Sequence, residues 1–128
     1  MSGLAQSPAV ARGFPDLGAV VGDHRALLRS GTATDDPTLT TWELDCRGTA
    51  QISAYLTNLE AGPGPVVSAV VAVQIAGGPW WTVATIGPLA AGATGTFSGR
   101  WAAHRVRIAV SAGPAAPCVF VAGLAVTI

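Results

Sequence analysis

Leu39-Thr-Thr-Trp-Glu-Leu-Asp-Cys46 and Gln51-Ile-Ser-Ala-Tyr-Leu-Thr57 are separated by Arg47-Gly48-Thr49-Ala50. In the first run Trp42, Leu44 and Cys46 alternate with Thr41, Glu43 and Asp45, the period of a strand with one apolar face. In the second, Ile52, Ala54 and Leu56 share one side while Gln51, Ser53, Tyr55 and Thr57 share the other. Two alternating runs across a glycine turn predict an antiparallel hairpin. A sheet with one apolar face must be covered by a second layer, so this stretch already implies a layered β protein.

The same grammar extends in both directions. Downstream, Ala61-Gly62-Pro63-Gly64-Pro65 is a loop, and residues 66–76 are rich in valine and apolar on both faces, as in a central strand. Gly77-Gly78-Pro79 turns the chain into a strand over 80–86, and Gly87-Pro88 opens the next loop. A short strand follows at 94–98. Over 105–110, Val106, Ile108 and Val110 point inward and Arg105 and Arg107 outward. Gly113-Pro114 to Pro117 turns once more before an apolar strand from 118 to 128. Upstream, residues 24–30 fit a single helical turn or a strand, and the neighbouring pattern favours the strand. The expectation is an all-β chain: an antiparallel, jelly-roll-like β-sandwich of about eight strands over residues 23–128.

Residues 1–22 stand apart. They are built from Ala, Gly, Pro and Val with no helical or strand period, and Pro8, Pro15, Gly13, Gly18 and Gly22 interrupt any regular element. We expect an extended N-terminal arm whose apolar residues Leu4, Val10, Phe14, Leu17 and Val20 bury against partners, offsetting the entropy of ordering it.

Charge is sparse. The 128 residues hold seven acidic and seven basic side chains, 11% in all, against about 25% in an ordinary soluble domain. All seven basic residues are arginine, half the chain is apolar, and the mean hydropathy is +0.48. That apolar content excludes a disordered chain. Zero net charge gives no field to draw nucleic acid or anionic lipid. From Ala61 to Gly99, 39 residues pass without a single charge. Such a stretch is hard to keep soluble in a lone monomer, so it is expected to face the core and other subunits.

No secretory signal is expected, because residues 1–12 contain Gln6, Ser7 and Pro8 and reach their first positive charge only at Arg12. The longest apolar run, 66–76, falls far short of the roughly 20 residues of a membrane-spanning helix. We therefore expect assembly in the cytoplasm, with no membrane partner.

Candidates for chemistry are few. His24 and His104 are isolated and fit no ligand spacing. Asp35-Asp36-Pro37 is turn chemistry rather than a calcium loop, and Glu43 and Asp45 lie on a solvated strand face. Cys46 and Cys118 fall on inward faces, where cysteine is a small apolar filler; whether they pair is left open. No catalytic residue, metal or cofactor is expected, and the chain does not read as an enzyme. Of the four tryptophans, Trp80 and Trp101 are the candidates for an exposed platform on which a sugar ring could stack.

Ser-Gly-Thr-Ala-Thr, Trp-Glu-Leu-Asp-Cys-Arg-Gly-Thr-Ala-Gln-Ile-Ser, Val-Ala-Val-Gln-Ile-Ala-Gly-Gly-Pro-Trp-Trp-Thr-Val and His-Arg-Val-Arg-Ile-Ala-Val follow one another in that order. This strand rhythm, over roughly residues 21–128, resembles the small jelly-roll accessory virion proteins of tailed phages and gene transfer agents, which serve as head-spike bases and head-decoration or fibre-associated domains. A similar rhythm occurs in galactose-binding-like carbohydrate modules. The resemblance implies a structural protein of a virion or phage-like particle. Its arm would dock on capsid or spike and fibre subunits, it would form a homo-oligomer, and it would carry no catalytic residues. The alternative it implies is a carbohydrate-binding module.

Overall fold

The computed structural model describes residues 24–114 and 116–127. The proposed arm, including Leu4, Val10, Phe14, Leu17 and Val20, lies outside the described residues. Six strands follow in order: β1 (His24–Ala33), β2 (Thr41–Asn58), β3 (Val67–Gln74), β4 (Trp80–Leu89), β5 (Thr94–Ala112) and β6 (Cys118–Thr127). A 3-10 turn, Pro37–Thr40, is capped by Asp36 and leads into β2. The ladder runs β1–β6–β2–β5–β3–β4, and every pair is antiparallel.

Two strands are unusually long, 18 residues in β2 and 19 in β5. Laid straight, either would run about 60 Å at the usual rise, far beyond a domain of about 100 residues with a radius of gyration near 13 Å. They must bend, and the register shows where. Asp45 faces Arg105 and Gly48 faces Ala103, so two residues of β2 oppose one of β5. This is a β-bulge. Gly48 sits at φ 107, a conformation that a side chain disfavours.

The bend changes each strand's neighbours. Beyond it, Gln51 to Asn58 of β2 pair with β6 on one side, and Gln51 to Thr57 with the first half of β5 on the other. Before it, Thr41 to Asp45 pair with the second half of β5 alone, and that half also pairs with β3. The ladder thus resolves into two four-stranded layers. One runs β1, β6, second half of β2, first half of β5; the other runs first half of β2, second half of β5, β3, β4. This is an antiparallel β-sandwich with the strand order of a jelly roll.

The hairpin expected across Arg47-Gly48 is corrected by this register: the two runs are halves of one strand and do not pair with each other. The segments at 94–98 and 105–110 merge in the same way, so that Trp101 lies within β5. The expected count of about eight strands becomes six continuous ones.

The predicted faces hold. Leu44, Ile52, Leu56, Val67, Val71, Val106, Ile108, Val110, Phe120, Leu124 and Val126 form one buried cluster between the layers. Each fully buried side chain of this size contributes about 1.5–3 kcal/mol relative to exposure. The layers also touch through specific groups. The rings of Trp42, in the first half of β2, and Phe120, in β6, lie 6.1 Å apart; within the second layer, Thr40 Oγ1 donates to the Val110 carbonyl at 2.5 Å.

At one end of the sandwich Asn58 ties three connections together. It is fully buried. Its Nδ2 donates to the carbonyls of Leu89 (2.9 Å) and Pro65 (3.0 Å), and its Oδ1 accepts from the Glu60 N–H (2.9 Å). The loop after β2, the start of β3 and the end of β4 are thereby held to one side chain, which satisfies buried backbone groups that would otherwise be costly.

Candidate functional site

The titratable candidates serve the fold. His104 Nδ1 accepts from the Ala76 N–H at 3.1 Å. Ala76 (φ 51) and Gly77 (φ 76) form the centre of the β3–β4 turn, closed by a bond from Gly78 N–H to the Ile75 carbonyl at 2.9 Å, the pattern of a type I′ turn. The histidine thus supports a turn. Asp36 accepts from both the hydroxyl and the N–H of Thr38, and these bonds, the hydroxyl's foremost, hold its carboxyl below its ordinary range. Of His24, only the backbone position at the start of β1, opposite Thr127, is described.

Glu43 and Asp45 flank one arginine. Arg105 Nη2 lies 2.5 Å from Glu43 Oε1, and its Nε lies 3.6 Å from Asp45 Oδ1. The two carboxylates are thus ion-paired on the outer face and are not poised as an acid–base couple. Cys46 and Cys118 are both free thiols. Burial, aided by the Asp45 carboxylate, pushes the Cys46 thiol up to about 11; burial also pushes Cys118 up. Among the described residues no group of three or more His, Cys, Asp or Glu could hold a metal ion. No described helix is long and apolar enough to cross a membrane.

Trp80 and Trp81 lie on opposite sides of β4. Trp80 pairs with Gln74 on the outer face, but the Arg107 guanidinium stands 4.4 Å from its ring centroid. The guanidinium thus covers one face of that ring as a cation–π partner. Trp81 shares its side of β4 with buried Val73, yet it is 60% exposed because it lies at the rim of an edge strand. Trp101 is 40% exposed. Trp81 and Trp101, with Ile75, Thr82 and Val83, line one cleft of about 320 Å³. The structure therefore joins Trp101 to Trp81, not to Trp80. The cue in the sequence was the uncharged interval around Trp81, weighed there for assembly alone.

A second, larger hollow of about 500 Å³ lies on the outer face of the β1–β6–β2–β5 layer. Leu28, Ala26, Ala125 and Tyr55 surround it, and Gly123 forms its floor. Sequence reasoning missed it; its one signal is a glycine in the middle of an apolar strand.

Charge divides the two flanks of the sandwich. On one, β1 faces the first half of β2, as the Arg29 guanidinium 5.9 Å from the Trp42 ring shows. This flank carries Arg25, Arg29, Glu43, Asp45 and Arg47. On the other, β4 faces the first half of β5, and a side chain at Gly95 would collide with Ile86. Residues 80–99 of this flank hold no charge, and Arg100, opposite Gln51 on the outer face, bounds it.

No protein-family model and no curated protein matches the chain. Among solved structures it is similar to the particle protein of infectious bursal disease virus, at 16% identity and TM-score 0.48, over 85% of this chain and 32% of that one. The Gx strain of the same virus gives 17% identity, TM-score 0.47, 85% and 34%. The mitogen derived from Yersinia pseudotuberculosis gives 10% identity, TM-score 0.46, 81% and 86%. The chain spans about a third of the length of the viral proteins. These are likenesses of strand arrangement at low identity, and with TM-scores below 0.5 they carry nothing about function.

Proposed function

We propose that the chain is a structural, non-enzymatic subunit of a virion or phage-like particle, of the kind that forms the base of a head spike or decorates the head. The observation that carries this reading is the uncharged flank of β4 and β5, with Trp81 and Trp101 exposed on it. Interfaces are depleted in charge and enriched in tryptophan at their centres, whereas a free surface of this kind favours aggregation. His104, Asp36, Glu43, Asp45 and Asn58 are engaged in turns, ion pairs and backbone bonds, which suits a building block. Residues 1–22 are the proposed anchor, through Leu4, Val10, Phe14, Leu17 and Val20.

Deleting residues 1–22 tests the anchor. The truncated chain is expected to fold with an unchanged far-UV spectrum and to be lost from particles that the full chain co-sediments with. Co-sedimentation at full occupancy would overturn the anchoring role.

Carbohydrate binding is the second reading, favoured by the exposed Trp81–Trp101 cleft. Thr82 is the one hydroxyl in its lining, few polar groups to orient a sugar. Glycan-array binding that disappears in Trp101→Ala would promote it.

A further inference from the structure

We infer that the uncharged flank, β4 with the first half of β5, is the seat of a second copy of this chain, joined like-to-like about a two-fold axis. This rests on the reading of the chain as an assembly subunit and names the surface and the partner.

Among the described residues both flanks end in open sheet edges, but the edges are not alike. β1 is an edge strand that carries Arg25 and Arg29 on the side of Leu27, so they point between the layers. Charges aimed inward on an edge strand oppose pairing with another chain. The adjoining edge, Thr41 to Asp45, adds Glu43 and Asp45. Among the described residues the opposite flank carries no charge on its own edge segments before Arg100; the Arg107 guanidinium reaches β4 only on the outer face, over Trp80. Among the described residues β4 pairs only with β3, and residues 94–101 of β5 pair only with β2, so each leaves one side of its backbone without a strand partner. Neither segment holds a charge before Arg100. At their junction Trp81, Trp101 and Ile75 are exposed by 60%, 40% and 44%.

The distribution of charge also selects the geometry. A head-to-tail contact would press the uncharged flank onto Arg25, Arg29, Asp45 and Arg47 and strip them of water with no opposite charge to receive them, which is costly. A like-to-like contact buries Trp81 against its counterpart's uncharged surface and leaves both charged flanks in solvent. Such an isologous contact closes at two copies.

Sedimentation equilibrium of the full chain tests this, with Trp81→Arg/Trp101→Arg, Thr82→Arg and, as a control on the charged flank, Thr32→Arg. Thr82 and Thr32 are exposed, so their variants leave the core intact. The expected result is a species of twice the 12.8 kDa chain mass for wild type and Thr32→Arg. Association should weaken about tenfold or more in Thr82→Arg and the double tryptophan variant. A wild-type dimer that persists in both flank variants overturns this inference while leaving the assembly reading in place. A concentration-dependent ladder beyond two copies overturns the two-fold geometry. A wild-type monomer throughout the micromolar range overturns both the inference and self-assembly.

Discussion

The Tyr55 ring lies over Gly123, its direct cross-strand partner on β6, so that a Cβ added to the glycine would overlap the ring. An aromatic covering a strand glycine supplies the packing that the glycine lacks and shapes the floor and wall of the larger hollow. Gly123→Ala is expected to lower stability by about 1–3 kcal/mol, the usual cost of overpacking. In Tyr55→Ala/Gly123→Ala the loss should be smaller than the sum of the single losses. Urea denaturation of the four proteins measures the coupling, and strict additivity would show that ring and glycine do not compete for one space.

Asn58→Ala should be among the most damaging single substitutions. It strips the Leu89 and Pro65 carbonyls and the Glu60 N–H of their partner in a fully buried position. A loss of about 2–4 kcal/mol is expected from buried groups left unsatisfied. Asn58→Asp tests the same point through pH. Its ionised carboxylate would face two carbonyls, so its folded pKa is raised, and stability should fall as pH rises from near 4. Thermal melts between pH 4 and 7 measure it; a flat profile would contradict the assignment.

Ala76 is the only described non-glycine residue at positive φ, 51°. Left-handed backbone costs an L-residue about 1–2 kcal/mol, and asparagine tolerates it better. Ala76→Asn is therefore expected to stabilise the β3–β4 turn by about 0.5–1 kcal/mol. His104→Ala removes the acceptor of the Ala76 N–H and should act in the opposite direction. The midpoint of chemical denaturation reads both.

Cys46 should be slow to react with thiol reagents near neutral pH, since burial and Asp45 hold its pKa up to about 11 instead of the usual 9. The folded state keeps this proton to higher pH than the unfolded chain does. Where the unfolded state binds fewer protons, stability falls as pH rises, so it should decline between about pH 9 and 11. In Cys46→Ala that part of the decline should disappear. Equal losses in both proteins would remove Cys46 as its cause.

Alternation in residues 39–57 and 105–110 was enough to assign the core side of Leu44, Ile52, Leu56, Val106, Ile108 and Val110. Gly48 was legible as a break but not as the kind of break. A hairpin turn and a bulge can both call on glycine at positive φ, and the difference lies in what stands opposite. Here that is Arg105 and Ala103, more than 50 residues on. Tertiary placement also hid the division of labour between Trp80 and Trp81: Arg107 comes from β5 to cover Trp80, and the edge position of β4 leaves Trp81 bare. The charge-free interval, by contrast, is local information, and it pointed to the flank where these tryptophans lie.

Amide hydrogen exchange at two protein concentrations measures the use of that flank most directly. On moving from nanomolar to tens of micromolar, residues 80–89 and 94–101 should gain protection while β1 does not change. Exchange in β4 and β5 that is independent of concentration, or protection gained in β1 instead, would contradict a second copy seated on the uncharged flank.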